Sequence, residues 1–400
     1  MHFNNDIIII GQQPWDTEIG SNCKNIALEL SKTNRVLYVN SPLDRISLLR
    51  GRKDPKVQKR LNVIRKAEVG LVKLKDNLWN LYPDCIVESI NWLNNYKLFD
   101  YINKSNNRKL ASSIGKALHE LNFKELILFN DNEMFKGFYL SDFIKPALSI
   151  YYSRDYMLGV DYWKKHGERI EPLLIEKSDL CFANSTYLAD YCKQYNTESY
   201  YVGQGCDVEE FADIETLEKP KDLFFDKPVI GYVGSLNSIR LDMALIAYIA
   251  EQCSDFQIAL VGPEDELFKA SKLHAIPNIS FLGQKKVEEL PHYINGFDIC
   301  INPQLINEVT IGNYPRKIDE YLAAGKPTVV SHTKTMEVFK DYVYLANSKE
   351  DYVKLIKRAF EENNTPLAVE RRDFALTHTW ENSVGEMRKE VSRVLNSRID

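Results

Sequence analysis

The chain has 400 residues, 44% hydrophobic and 27% charged, with a formal net charge of −5. That length allows two or three domains with full cores, and the mixture is that of a soluble globular protein. The acidic balance argues against general nucleic-acid binding, no run reaches the ~20 apolar residues of a membrane span, and seven scattered cysteines without a C-x-x-C pair read as reduced thiols of a cytoplasmic protein.

The N-terminus runs into an apolar strand over 6–10 without the basic stretch and long apolar core of a signal peptide. A loop rich in turn residues, 11–20, leads to a helix capped at Ser21 or Asn22 that keeps Ile26, Ala27 and Leu30 on one side. A second strand follows at 36–39, so the opening is that of a doubly wound sheet. Between 45 and 66 nine basic residues stand against one acidic, a local charge of +8. Leu48, Leu49, Val57, Leu61 and Ile64 interleave with them, which predicts an amphipathic surface helix drawn to anionic lipid headgroups. A solvated loop is the plainer alternative. Residues 78–101 are aromatic and show no assignable pattern.

A helix over 105–121 precedes strands at 125–129, 147–152 and 180–183, each ending in polar residues. Ligands gather at the carboxyl ends of parallel strands, which makes Asp131 and the Arg154-Asp155 pair the candidates for chemistry in this half. The acidic triplet 131–133 alone does not make a metal site. Gly203 and Gly205 lack the third glycine and the helix of a dinucleotide fingerprint. The charged stretch 207–227 fits a linker. A second strand, glycine loop and helix then open at 228–253, with the strand ending at Gly234-Ser235, and further strands lie at 256–261 and 278–283.

The most informative stretch is 302–331, NPQLINEVTIGNYPRKIDEYLAAGKPTVVS, which follows an apolar strand ending at Ile301. Pro315 suits the first turn of a helix over 316–324, with Ile318, Tyr321 and Leu322 facing inward and Gly325 ending it. The helix start gathers backbone N–H groups, the positive end of a dipole, Arg316 and Lys317, a combination that suits a diphosphate. Glu320, one turn further in, suits a pair of sugar hydroxyls. The plainer alternative is an ordinary βαβ unit with solvated charges. The pattern P-x-K-x-x-E-Y-L-A-A-G-K-P-x-V-V resembles the donor-nucleotide motif of GT-B glycosyltransferases, close to glycosyltransferase family 4.

The resemblance implies an α/β GT-B fold of two Rossmann-like, doubly wound domains facing a central cleft. Residues 1–206 would bind the acceptor, 228–376 the nucleotide sugar, and 377–400 would form a helix packing back on the first domain. On the donor side it points to Gly234, to Ser235 where many members carry arginine, to Arg240 as a diphosphate anchor, and to Gly283 near the base. Gly312, Asn313, Arg316, Lys317 and Glu320 complete that set. Many members carry a second glutamate eight residues before Glu320, where this chain has Gly312; Glu308 stands out of register, and backbone N–H groups of 310–313 are expected to take its place. Trp15, Asp16, Ser21 and Arg154 fall on the acceptor side, with Asp155 or Asp131 orienting or activating the acceptor hydroxyl.

The implied reaction is a retaining, metal-independent transfer in which Arg240 and Lys317 offset the charge of the leaving diphosphate. It needs no cofactor beyond the nucleotide-diphosphate sugar as co-substrate. The implied acceptor is a saccharide or a lipid-linked one, handled in the cytoplasm at the inner face of the plasma membrane during polysaccharide or glycolipid synthesis. Two rivals share the architecture. One is a sugar-nucleotide 2-epimerase, for which His332 is an available histidine. The other is a non-catalytic nucleotide-sugar-binding subunit, suggested by Gly312 and Ser235.

Overall fold

The computed structural model describes residues 3–17, 20–211 and 214–398. Parts of the expected loop 11–20 and linker 207–227, and the ends of the chain, lie outside them. The chain divides into two units, Met1–Gly203 with Ser383–Asp400, and Gln204–Asn382.

The strands of the first unit are β1 Ile7–Gly11, β2 Val36–Val39, β3 Leu43–Asp44, β4 Leu71–Lys75, β5 Leu78–Leu81, β6 Ile86–Val87, β7 Ile127–Asp131, β8 Leu148–Ser153, β9 Leu180–Ala183 and β10 Ser199–Tyr201. Eight of them form one sheet in the order β10-β9-β8-β7-β1-β2-β5-β4, and β3 pairs with β6. Ile7 to Ile10 offer water no polar face. They form the central strand, with β2 and β7 parallel on either side. The chain order reverses across β1 and β7, so a switch point lies at their carboxyl ends.

Three stretches depart from the sequence expectations. Residues 71–81 form a hairpin whose turn, Asp76-Asn77, places Asn77 at φ 61°, and its β4 is the antiparallel edge strand. The helix expected over 105–121 begins earlier and runs Tyr96–Leu121. The basic run forms two helices, Arg45–Arg50 and Pro55–Ile64. The apolar side of the second is not presented to a surface: Val57 and Leu61 are buried against Leu43, with Leu48 and Ile64 packed around them.

The second unit contains β11 Val229–Val233, β12 Gln257–Val261, β13 Ile279–Gly283, β14 Ile299–Asn302, β15 Thr328–Ser331 and β16 Tyr344–Ala346. The order is β13-β12-β11-β14-β15-β16, all parallel. Side chains alternate between two core layers. Ile230, Ile258, Leu260, Ile299 and Ile301 pack toward the helices Met243–Gln252 and Lys349–Glu362. Val229, Val233, Ala259, Val261 and Cys300 pack toward Ile318, Tyr321 and Leu322 of the helix Lys317–Ala323. The stretch read as a linker contributes Val208, Phe211, Ile214 and Leu223 to that second layer, because its apolar residues punctuate the charges at turn spacing.

The last helix, Trp380–Ser397, belongs to the first unit from Ser383 onward, where Val384, Met387 and Val391 are buried and Arg388 donates to Asn34 Oδ1 at 2.9 Å. Among the described residues no helix is long and apolar enough to cross a membrane.

Candidate functional site

In the second unit, three adjacent strands end in glycines with positive φ: Gly234 at 142°, Gly262 at 148° and Gly283 at 72°. These are backbone conformations that L side chains rarely adopt. A Cβ on Gly262 would lie 1.9 Å from the Gly234 carbonyl oxygen, and one on Gly234 would lie 2.7 Å from Lys317 Nζ. The strand ends are therefore bare backbone beside a lysine. Gly262 is not singled out by the sequence analysis, although the Gly-Pro that follows β12 is a strong turn signal.

Lys317 opens the helix Lys317–Ala323. Its Nζ donates to the Tyr232 hydroxyl at 2.5 Å and sits 4.1 Å from the centre of that ring. Among the described residues no carboxylate lies within ion-pair distance of it. Arg316, its neighbour in sequence, is engaged elsewhere: it pairs with Asp207 at 3.2 Å and lies over the Trp380 ring. Of the two cations read together from the helix start, only Lys317 faces the glycine edge. Glu320 follows one turn later and is half-buried. Burial raises its pKa, and Arg316 and Lys317 pull it back down.

Arg240 is exposed, but its backbone is fixed. Its N–H donates to Asn237 O and its carbonyl accepts from Leu305 N at 2.9 Å, while Asn307 Nδ2 bonds the Ile239 carbonyl. Ser235 is exposed on the same connection, and its carbonyl accepts from the Tyr232 hydroxyl at 3.2 Å. The 310–313 loop differs from expectation. Thr310 N donates to Asn307 Oδ1, Ile311 N to Asn307 O and Asn313 N to Thr310 O, so these N–H groups close the loop on itself instead of facing outward. Gly312 is buried within it and Glu308 is exposed.

Asp319 is an unforeseen member of the neighbourhood. It is fully buried, with Oδ1 2.6 Å from His378 Nδ1 and 3.2 Å from the Tyr314 hydroxyl. Burial raises its pKa and the His378 contact lowers it. The helical wheel puts Asp319 about 100° from Ile318, at the border of the inward face, but a partner 59 positions away leaves no local trace. His332 is already committed, through Nδ1 to Asn347 Oδ1 at 2.7 Å and through Nε2 to Glu337.

In the first unit the switch point carries Asp131, Arg154 and Asp155 as one cluster. Arg154 donates from Nε to Asp131 Oδ1 at 2.9 Å and from Nη1 to Asp155 Oδ2 at 3.0 Å, while Asn132 Oδ1 accepts from Arg154 N. Asp131 has no exposed surface, whereas the Asp155 side chain is 37% exposed. Burial pushes the Asp131 carboxyl up and Arg154 opposes it. Trp15 lies edge-on to Tyr38, and its backbone N–H donates to Asn40 Oδ1 at 2.7 Å. Asp16 pairs with buried Arg60 at 3.1 Å, which ties the first loop to the basic helix. Ser21 is buried and precedes the helix Asn22–Ser31 without making a capping bond. None of these three contacts the Asp131 cluster through a recorded hydrogen bond.

Residues 227–362 match the family model described as "Glycosyl transferases group 1". The chain has a GT-B fold, and this segment of it is similar to the group 1 glycosyltransferases. A Bacillus subtilis (strain 168) protein named for teichuronic acid biosynthesis, the glycosyltransferase TuaH, is 30% identical over 161 residues, which span 38% of this chain and 40% of that one. Solved structures agree over nearly the whole length. Sucrose-phosphate synthase from Thermosynechococcus elongatus is 13% identical with a TM-score of 0.65, covering 98% of this chain and 100% of that one. HepE of Anabaena, solved with UDP and glucose, is 14% identical with a TM-score of 0.64 and the same coverage. The α,α-trehalose 6-phosphate synthase of Burkholderia multivorans is 9% identical with a TM-score of 0.68, covering 100% of this chain and 98% of that one. At these identities the structural likeness establishes the fold, two Rossmann-like units, and leaves the chemistry to be argued from the residues.

Proposed function

We propose that the chain is a glycosyltransferase that moves a sugar from a nucleoside-diphosphate sugar to a saccharide or lipid-linked acceptor, in the synthesis of a cell-surface polysaccharide or glycolipid. Residues 228–376 hold the donor and 1–206 the acceptor. The observation that carries this is the half-buried Lys317 ammonium, with no carboxylate at ion-pair distance among the described residues, set against the glycine-ended strands of the segment matching the family model. Such a group calls for an anion, and bare backbone lets a diphosphate come close.

In the reaction the bond between the anomeric carbon and the diphosphate oxygen breaks, and that carbon bonds to the acceptor oxygen, whose proton is released. Negative charge grows on the leaving diphosphate. Lys317 and Arg240 offset it from fixed positions, and Glu320 accepts hydrogen bonds from the ribose diol. Gly234, Ser235 and Gly283 frame the donor, with Gly312 and Asn313 shaping the adjoining loop. Asp155, the exposed arm of the Arg154 cluster, orients the acceptor hydroxyl, and Asp131 holds Arg154 from below. Retention and independence of metal follow the family resemblance. The name of TuaH supports a surface-polymer product, and the basic run 45–66 supports work at an anionic inner membrane face.

The test is turnover. UDP-, GDP- and ADP-sugars are incubated with the protein and bacterial membrane extract, and free nucleoside diphosphate is measured. Release that needs both extract and Lys317 supports the proposal. Nucleotide binding without acceptor-dependent release would replace it with a non-catalytic binding subunit.

A further inference from the structure

We infer, building on the membrane association proposed above, that the first unit docks on an anionic lipid surface through an aromatic and aliphatic face made by three separate segments, not through the amphipathic helix suggested by the basic run. That helix, Pro55–Ile64, has its apolar side buried, and its Arg60 is engaged by Asp16. What remains outward is different. Ile46 and Leu49 are 40% and 79% exposed on the helix Arg45–Arg50, three positions apart and so on one side of it. Trp92 and Tyr96 are 69% and 55% exposed, and Tyr162 is 57% exposed.

Hydrogen bonds join these segments into one face. Ile46 N donates to Ser89 Oγ at 3.1 Å and Arg45 pairs with Glu88 at 2.6 Å, which ties the first segment to the second. Asn91 Nδ2 donates to the Tyr162 carbonyl at 2.6 Å and Lys165 Nζ to the Trp92 carbonyl at 3.1 Å, which ties the second to the third. The Trp92 indole N–H is satisfied by Ser89 O at 2.8 Å, so the ring is held outward by a bond instead of swinging free.

Single exposed apolar residues are ordinary, but a joined set is a docking surface. Its occupant is indicated by charge. Exposed Arg50, Arg52 and Lys53, in the segment 45–66 that carries +8 in a chain of −5, border the face together with exposed Lys165 and with Arg45, which is paired with Glu88. Tryptophan and tyrosine settle at the headgroup level of a bilayer, and basic residues draw the protein to anionic lipid.

The experiment is co-sedimentation of the full chain with vesicles of phosphatidylglycerol and phosphatidylcholine, against phosphatidylcholine alone, with nucleoside diphosphate binding as a check on folding. The expected result is binding to the anionic vesicles only, weakened about 10-fold or more by Leu49→Ser with Trp92→Ser, since both substitutions remove apolar surface that would leave water on docking. Binding that survives this pair but is lost in Arg50→Glu/Arg52→Glu/Lys53→Glu overturns the inference and leaves a purely electrostatic membrane association standing. If the wild type does not bind, both fall. A dimer seen by sedimentation without vesicles, and broken by Leu49→Ser/Trp92→Ser, overturns the inference in favour of self-association.

Discussion

Replacing Lys317 with methionine separates a ligand-binding group from a structural one. The methionine stem keeps apolar contact with the Tyr232 ring, and the Tyr232 hydroxyl still donates to Ser235 O. No ion pair is broken and Arg316 stays beside Glu320, so the stability of the free protein should move by no more than about 1 kcal/mol. The loss should appear on binding instead. A hydrogen bond between an ammonium and a phosphate contributes about 1.5–3 kcal/mol, which predicts a Kd for the cognate nucleoside diphosphate about 10- to 150-fold weaker. Isothermal titration measures the Kd and urea unfolding the stability. Asp319→Ala is the contrasting variant, because it breaks a fully buried contact with His378 and should cost about 2–4 kcal/mol. An unchanged Kd in Lys317→Met, or a fall in its stability as large as that of Asp319→Ala, would refute the reasoning.

Other expectations follow from burial and backbone shape. Gly262→Ala places a methyl 1.9 Å from a backbone carbonyl at φ 148° and should lose about 3 kcal/mol or more, whereas Gly115→Ala, in the helix Tyr96–Leu121 with no neighbour within 4 Å, should gain about 0.5–1 kcal/mol; urea midpoints compare the two. Burial pushes Glu171 from 4.5 up to about 7, against hydrogen bonds from Tyr151 and Tyr191. Its folded-state pKa is raised, so its contribution is fully present below the unfolded value and is lost as pH rises from about 4.5 to about 7, close to 3 kcal/mol in all. Glu171→Gln should therefore flatten the fall in stability between pH 5 and 8, and an identical slope in the variant would count against this. Arg60→Ala strands Asp16 and should destabilise by about 1–3 kcal/mol in thermal melts, with no effect on nucleotide affinity.

The two doubly wound units were legible because their strands are short, apolar and separated by helical spacing. Ile7 to Ile10, Val36 to Val39 and Leu180 to Ala183 need no tertiary information. The helix after Pro315 and its end at Gly325, φ 70°, were equally local. Residues 71–81 escaped because the signal, alternation around Asp76-Asn77, is weak on an edge strand with half-exposed faces. The helix Pro55–Ile64 was read with the right apolar residues but the wrong neighbour, since the sequence cannot say whether Val57 and Leu61 meet lipid or Leu43. Pairings made across distant segments were invisible for the same reason. Arg316 with Asp207, Asp16 with Arg60 and Asp319 with His378 each join residues tens of positions apart. Those pairings decide which charges remain available at each sheet edge.

The most direct measurement is thermal stabilisation by UDP, GDP and ADP, with EDTA present, on the wild type and on Glu320→Ala and Arg240→Ala. A ligand that binds only the folded chain at 100 times its Kd adds about 2.7 kcal/mol, a readable shift. The account predicts that one of the three stabilises the wild type and that either substitution removes most of the effect. If none stabilises it, the helix after Pro315 is only a capped helix in a βαβ unit, and the donor site is contradicted.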